Sequence, residues 1–178
     1  ESDEEDEGLP WPAWIDGDSL APPCPSNLDV VDSLLDLASV TCSDEVVDLG
    51  AGDGRVCLRA ATRFGARALG LEIEAREVEK FQRAIETLGL QDRVSVIQSD
   101  VREYDFSGVS AGTVVCLYLL PEAIQELRPK LDAALEAGAR VVCNTWGLVW
   151  LEPIRTVSAG ALHNADVFLY TAACLASS

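Results

Sequence analysis

The feature that most constrains this chain is a glycine-rich turn, VDLGAGDGR, at residues 47–55. The apolar residues at 45–49 predict a buried strand before the turn, and residues 55–64 predict a helix after it. Glycine permits a tight turn and lets a ligand approach the backbone closely, because no Cβ intervenes. The helix would add unpaired N–H groups and the positive end of its dipole. A ligand-binding turn is therefore expected, and a turn without a ligand is the alternative.

The spacing of the glycines distinguishes between two kinds of ligand. Gly50, Gly52 and Gly54 follow the pattern GxGxG, whereas the dinucleotide fingerprint GxGxxG would place glycine where Arg55 stands. A pyrophosphate needs that third glycine for close packing of the helix, but the carboxylate and amine of an amino acid do not. The turn therefore disfavours an NAD-dependent oxidoreductase and favours a ligand with an amino-acid end.

The rest of the chain alternates between predicted strands and helices. Strands are expected at 45–49, 66–71, 94–98, 113–118, 140–145, about 152–159 and 166–173. Helices are expected after the first, second and fourth strands, and Pro129 is expected to break or kink the last of them. This alternation predicts a parallel sheet with helices on both faces. A short loop joins the last two, which predicts an antiparallel hairpin. The expected fold class is α/β, with a seven-stranded, mostly parallel sheet.

Composition divides the chain into three parts. Residues 1–8, ESDEEDEG, are predicted to be a disordered acidic tail, because so polar a segment cannot offset the entropy of ordering. Residues 9–26 are rich in proline and tryptophan and predict an extended arm that lies on the domain. Residues 27–178 are expected to form the domain, beginning with a helix at 27–40.

Acidic residues follow two of the predicted strands that flank the turn. Glu72 ends the second strand about 20 residues after the first glycine, where an acid can accept hydrogen bonds from both hydroxyls of a ribose. Asp100 follows the third strand, where it could accept from the exocyclic amine of adenine while the Val101 amide meets a ring nitrogen; a simple turn residue is the alternative. Because ligands bind beyond the carboxyl ends of parallel strands, one crevice for a nucleoside is expected.

The order of these motifs, DLGAGDG, then LEIE, then QSDV, resembles the seven-strand S-adenosylmethionine methyltransferases over about residues 23–175. The resemblance implies a Rossmann-like methyltransferase fold and S-adenosylmethionine as cofactor. It implies that the turn holds the amino-acid end, Glu72 the ribose, and Asp100 with Val101 the adenine. The turn residues so assigned are Asp48, Gly50, Ala51, Gly52, Asp53 and Gly54.

Three further segments resemble a narrower family, the small protein-lysine methyltransferases that modify mitochondrial carriers and the ATP synthase c subunit. These segments are PCPS at 23–26, VVCLYLLP at 114–121 and ARVVCNTWGL at 139–148. The resemblance implies that the methyl group goes to a lysine of a protein. Cys24 departs from the family, because an aliphatic residue is more usual there.

Aromatic residues are the candidates for the substrate side of the crevice. Tyr118 ends the fourth strand, where amino-methylating relatives place a polar residue beside the methyl group, and is the candidate catalytic residue; a core tyrosine is the alternative. Trp11, Trp14 and Trp146 are candidate walls of an apolar channel that favours a neutral amine and can hold a methylammonium. For Trp11 and Trp14 the alternative is packing of the arm on the core. His163, the only histidine, is assigned no role.

Charge narrows the expected partners. Subtracting the six acids of residues 1–7 from the formal net charge of -17 leaves -11, so the domain itself is acidic. RNA or DNA would be repelled at long range, and a basic protein would be attracted. The expected function is therefore N-methylation of lysine in a basic protein. A small-molecule methyltransferase and a non-catalytic S-adenosylmethionine-binding regulatory module are the alternatives.

Cysteine usage and hydropathy bear on location. The six cysteines include no CxxC pair, so a metal site is not expected and a reducing, intracellular compartment is. No apolar run approaches the ~20 residues of a membrane-spanning helix. The expected location is cytoplasmic, or mitochondrial if an upstream segment is missing. The oligomeric state is left open.

Overall fold

The computed structural model describes residues 26–161 and 164–176. The acidic tail, almost all of the arm with Trp11 and Trp14, and His163 lie outside the described residues. The predictions made for them therefore stay predictions.

Seven strands and six helices make up the described part of the chain. The strands are β1 (Glu45–Leu49), β2 (Arg67–Glu72), β3 (Val94–Gln98), β4 (Thr113–Leu117), β5 (Arg140–Asn144), β6 (Arg155–Ala159) and β7 (Ala165–Tyr170). The helices are α1 (Leu28–Leu37), α2 (Arg55–Phe64), α3 (Ala75–Thr87), α4 (Pro121–Glu126), α5 (Arg128–Glu136) and α6 (Ala172–Leu175), with a short 3-10 helix at Phe106–Gly108.

All seven strands join one sheet in the order β3-β2-β1-β4-β5-β7-β6. The pairs among β1 to β5 are parallel, and β7 runs antiparallel to both β5 and β6. The chain crosses from β1 through β2 to β3 on one side and then returns to β4 on the other. The α/β class, the mostly parallel sheet and the C-terminal hairpin are therefore confirmed.

The first helix and the last strand both end earlier than predicted, for local reasons. The first helix ends at Leu37 rather than at Val40, because Ser39 adopts a positive φ of 53°. The N–H groups of Ser39 and Val40 turn back to the carbonyls of Asp36 and Leu35, which closes a Schellman motif. The last strand ends at Tyr170, because Thr171 caps the short helix α6.

The hairpin begins later than predicted, and one helix break falls where expected. The sixth strand begins at Arg155 rather than near residue 152, just after Pro153, which has no N–H to donate to a neighbouring strand. Pro129 stands in the first turn of α5 and separates it from α4, as predicted. A proline is tolerated there because the first helical N–H groups have no intrahelical acceptor.

Two apolar layers cover the faces of the sheet. Helices α1, α2 and α3 supply one layer, in which Leu35 and Phe81 are fully buried. Helices α4, α5 and α6 supply the other, with Leu131, Leu135 and Tyr170 in its centre. Burial of this apolar surface from water is the main force that holds the helices against the sheet.

Phe81 of α3 fixes the position of the glycine turn relative to the sheet. A Cβ at Gly54 would lie 2.1 Å from a carbon of the Phe81 ring, and one at Gly70 would lie 2.4 Å from another. Gly54 also has a φ of 83°, in the left-handed region. Packing against Phe81 and backbone conformation therefore both require glycine at residue 54.

Tyr170 anchors the loop that follows β5. Its hydroxyl oxygen accepts a hydrogen bond of 2.9 Å from the backbone N–H of Leu148, and both residues are buried. A Cβ at Gly147 would lie 2.4 Å from that oxygen, so the contact also requires glycine at 147. Burial raises the pKa of Tyr170 to about 12, so the hydroxyl stays protonated at neutral pH.

Replacing Tyr170 with Phe would leave the Leu148 N–H buried without its acceptor. We expect the free energy of unfolding in urea to fall by about 1–3 kcal/mol. Tyr104→Phe is the control, because the Tyr104 hydroxyl has no hydrogen-bond partner in the described part of the chain, and its change should stay within about 0.5 kcal/mol. Equal losses in the two variants would contradict this role of the Tyr170 hydroxyl.

Candidate functional site

The candidate residues meet at the carboxyl ends of the parallel strands. The glycine turn follows β1, Glu72 ends β2, and Asp100 lies two residues after β3. Tyr118 directly follows β4, and Trp146 lies two residues after β5. The order of the strands reverses between the parallel neighbours β1 and β4. This edge therefore contains the topological switch point at which such folds bind ligands.

Glu72 holds the glycine turn in place. One carboxylate oxygen accepts a 2.7 Å hydrogen bond from the Gly52 N–H. The other accepts from the N–H groups of Ile73 and Glu74, at 2.8 and 2.9 Å. A carboxylate offers about four acceptor sites, and these bonds occupy about three of them. The predicted contact to two ribose hydroxyls stays a prediction.

The three glycines of the turn have different surroundings. Gly54 packs against Phe81, and the Gly50 N–H donates to the carbonyl of Leu71 at 2.9 Å. A Cβ at Gly52, by contrast, would meet no atom within 4 Å, and its φ is 53°. Ala51 is buried in the core layer of α2 and α3. There is therefore open space beside Gly52, into which a ligand can fit.

Asp53 is engaged within the turn. Its carboxylate accepts hydrogen bonds from Nε and Nη2 of Arg55, at 3.0 and 2.6 Å. These bonds lower the pKa of Asp53 despite its partial burial. Arg55 also donates from Nη1 to the carbonyl of Ser26 at 2.7 Å, which ties the start of the described chain to the turn. This role of Arg55 was not predicted from the sequence, although a positive charge two residues after Asp53 was a signal for it.

Asp48 is a buried acid in a small pocket beside the turn. Residues that line the pocket include Val30, Leu34, Val56, Cys116, Tyr118 and Asn144. Asp48 is 5% exposed. No donor in the described part of the chain forms a hydrogen bond with its carboxyl. Burial, with the nearby negative charges of Glu72 and Asp53, raises the pKa of Asp48 to about 7.

Tyr118 and Trp146 are brought together, as the two substrate-side predictions require. Their rings stack with centroids 5.9 Å apart and an interplanar angle of 18°. Tyr118 lines the same pocket as Asp48. The pair therefore forms an aromatic wall beside the buried acid.

A strained turn places Trp146 on Tyr118. The Trp146 N–H donates to the carbonyl of Asn144 at 2.7 Å, across Thr145, whose φ is 66°. This is a γ-turn with positive φ, a rare conformation, and especially so for a β-branched residue. The Asn144 side chain donates to the Ser26 hydroxyl at 2.9 Å and accepts from the Thr145 hydroxyl at 3.0 Å. The roles of Asn144 and Thr145 were not predicted from the sequence, because no local pattern marks such a turn.

Asp100 is bound by a neighbouring arginine. It accepts from Nε and Nη2 of Arg102, at 3.0 and 2.6 Å, and from the Arg102 N–H at 2.9 Å. The guanidinium lowers the pKa of Asp100. Within the described residues, the Val101 N–H has no hydrogen-bond acceptor. The predicted adenine contacts stay predictions: the Val101 amide can take one, whereas Asp100 would share its carboxylate with Arg102.

The described residues contain neither a cluster of metal ligands nor a helix that could span a membrane. Nowhere in 26–161 and 164–176 do three or more His, Cys, Asp or Glu side chains form a group that could hold a metal ion. None of the helices in this part of the chain is both long and apolar enough to cross a bilayer.

Comparison with known proteins identifies one matching protein family and several relatives with similar sequences. A family model described as the ANTKMT methyltransferase domain matches residues 48–155. A protein-lysine N-methyltransferase of Saccharolobus islandicus (strain REY15A) is 34% identical over 151 residues, which are 84% of this chain and 92% of that protein. The adenine nucleotide translocase lysine N-methyltransferase of Mus musculus is 32% identical over 117 residues, which are 65% of this chain but only 49% of that protein.

A solved structure shares both sequence and fold. It is an RNA methyltransferase from Salinibacter ruber in complex with S-adenosyl-L-homocysteine, with a TM-score of 0.76 and 40% identity. The match covers 83% of this chain and 93% of that chain. The chain thus spans nearly all of two relatives and about half of the mouse enzyme. The predicted resemblance is confirmed, and the chain belongs to the ANTKMT methyltransferase family.

Proposed function

We propose that this protein transfers a methyl group from S-adenosylmethionine to the side-chain amine of a lysine in a basic protein. The observation that carries the proposal is the stacked pair of Tyr118 and Trp146 on the pocket that contains the buried acid Asp48. The Saccharolobus and mouse relatives, both lysine methyltransferases by name, support lysine as the acceptor.

The crevice suits S-adenosylmethionine at three points. Open space beside Gly52 allows a ligand to approach the backbone. The Asp48 carboxyl, which has no hydrogen-bond donor in the described part of the chain, suits the ammonium group of the amino-acid end. The Val101 N–H, likewise without an acceptor among the described residues, suits a ring nitrogen of adenine. When bound, the cofactor supplies an activated methyl group, so the protein's main task is to position the amine.

The aromatic pair would prepare the lysine for reaction. A free lysine has a pKa of about 10.4 and must lose its proton before its nitrogen can attack. Contact with the apolar faces of Tyr118 and Trp146 favours the neutral amine by desolvation. The same faces attract a methylated ammonium, so they can also retain a partly methylated side chain.

The charge of the protein favours a basic partner over a nucleic acid. A formal net charge of -17 attracts a lysine-rich surface at long range and repels a phosphate backbone. The Salinibacter relative is named as an RNA methyltransferase, so RNA is the second candidate substrate. We favour protein, because this chain offers no compensating excess of positive charge.

We propose an intracellular location, cytoplasmic or, with an upstream segment, mitochondrial. Five cysteines of the described residues are free thiols, and four of them are buried. Free thiols persist in a reducing compartment, which supports the proposal.

Replacing Glu72 with Gln tests whether the hydrogen bonds of the Glu72 carboxylate are needed to bind the cofactor. One acceptor oxygen becomes an NH2 group, which would face at least one backbone N–H, so we expect the dissociation constant for S-adenosylmethionine to rise at least tenfold. Glu74→Gln changes an exposed acid two residues away and should stay within twofold. Isothermal titration calorimetry gives both constants. An unchanged affinity of the Glu72 variant would refute the assignment.

The raised pKa of Asp48 predicts a pH dependence of stability without cofactor. In the unfolded chain an Asp titrates near 3.9, whereas in the folded protein Asp48 titrates at about 7. Between these values the unfolded chain binds fewer protons, so its formation becomes more favourable as the pH rises. This contribution to stability is present below about pH 4 and is lost as the pH rises to about 7.

Asp48→Asn should remove this dependence. From pH 5 to pH 8 we expect the free energy of unfolding of the unaltered protein to fall by about 2 kcal/mol more than that of the variant. Urea unfolding at several pH values measures both. Parallel pH profiles for the two proteins would show that Asp48 does not titrate in this range.

Transfer of labelled methyl groups to a cell extract tests the proposed substrate. With radioactive S-adenosylmethionine, we expect label in material that protease removes and ribonuclease leaves. Prior acetylation of the extract's lysines should abolish most of the labelling, because an amide nitrogen cannot act as the methyl acceptor. Label that ribonuclease removes, or label only in small molecules, would overturn lysine methylation and favour one of the alternatives.

A further inference from the structure

The loop after β5 presents one apolar side chain to solvent, three residues after Trp146 of the proposed site. Val149 is 80% exposed, more than any other large hydrophobic residue of the described part of the chain. Its neighbour Leu148 is buried, and so is Leu151 two residues later. Val149 is therefore exposed alone, within a loop whose neighbouring apolar residues are well packed.

Hydrogen bonds on both sides of Val149 hold the loop in this shape. The Leu148 N–H donates to the Tyr170 hydroxyl at 2.9 Å, and Nε1 of Trp150 donates to the Asp132 carboxylate at 2.9 Å. The Leu151 N–H donates back to the carbonyl of Leu148 at 3.1 Å. A side chain held outward in this way can contact a partner without the entropy cost of ordering the loop.

Val149 lies within a short reach of the aromatic pair. It follows Trp146 by three residues, a stretch of chain that spans at most about 11 Å. An extended peptide advances about 3.3 Å per residue. A peptide with its lysine at Trp146 and Tyr118 would therefore bring a residue about three positions away to Val149.

We infer that Val149 is a specificity-determining contact for an apolar side chain about three residues from the target lysine. The inference rests on the proposed function and names the local sequence of its substrate. One exposed acid, Glu122 in the first turn of α4, follows β4 at the edge of the sheet where the crevice lies. It suits a further cationic residue, so the occupant is a basic segment that carries an apolar residue near its lysine.

Two synthetic heptapeptides test the inference. One has a central lysine among glycines, and the other has leucine three positions away on both sides. We expect the unaltered protein to methylate the leucine peptide with a kcat/KM about tenfold higher, because the leucine buries apolar surface against Val149. Val149→Ser should reduce this preference to within twofold, with an unchanged dissociation constant for S-adenosylmethionine.

Leu88→Ser is the matched control. Leu88 is an exposed apolar residue at the C-terminal end of α3, far in the topology from the aromatic pair. This variant should keep the tenfold preference, whereas loss of the preference in both variants would overturn the inference.

The remaining outcomes separate the inference from the function on which it rests. Methylation of both peptides without preference by the unaltered protein would refute the contact at Val149 and leave lysine methylation standing. Transfer to neither peptide would refute the inference, and RNA labelling in the parallel extract assay would also refute the proposed function. If light scattering showed a dimer that Val149→Ser dissociates, a second copy would be the occupant and the inference would be wrong.

Discussion

Three backbone N–H groups converge on the carboxylate of Glu72, and the crevice is arranged around that contact. One comes from Gly52 in the turn after β1, and two come from the first residues after β2. Hydrogen bonds to a charged acceptor are about twice as strong as neutral ones. The contact therefore joins the ends of two neighbouring strands and shapes the turn before any ligand arrives, which lowers the entropy cost of binding.

The same contact places negative charge close to Asp48. Glu72 and Asp53 both act on Asp48 through their charge, and Asp53 is itself paired with Arg55. Burial among apolar side chains adds to this effect and keeps a proton on Asp48 up to about neutral pH. A cationic ligand at this position would relieve the repulsion and replace the proton. The pocket is thus electrostatically suited to a ligand that carries positive charge beside an apolar surface.

Local patterns predicted the fold well, because they record burial along the chain. Apolar runs such as Val46–Val47 and Val141–Val142 belong to strands that are covered on both faces, and the glycine turn and Pro129 act within a few residues. The acids at strand ends were predictable for the same reason, since parallel strands bring their carboxyl ends to one edge.

Contacts between distant residues could not be predicted. Asn144 meets Ser26 across 118 residues of sequence, and the positive φ of Thr145 depends on bonds to Asn144 and Asp166. The need for glycine at 54 was predictable from the turn, but the ring of Phe81 that enforces it was not. These constraints arise from contacts between residues that are far apart in the sequence, so neither hydrophobic periodicity nor composition predicts them.

The central claim is that the glycine turn faces the cofactor, and one pair of variants tests it. Gly52 and Gly89 both have positive φ, 53° and 66°, and neither has an atom within 4 Å of a built Cβ, but Gly89 lies at the end of α3. Alanine at either position should cost about 1 kcal/mol of stability through backbone strain. Calorimetric titration with S-adenosylmethionine should show at least a tenfold loss of affinity for Gly52→Ala and less than twofold for Gly89→Ala. Equal affinities in the two variants would contradict the account.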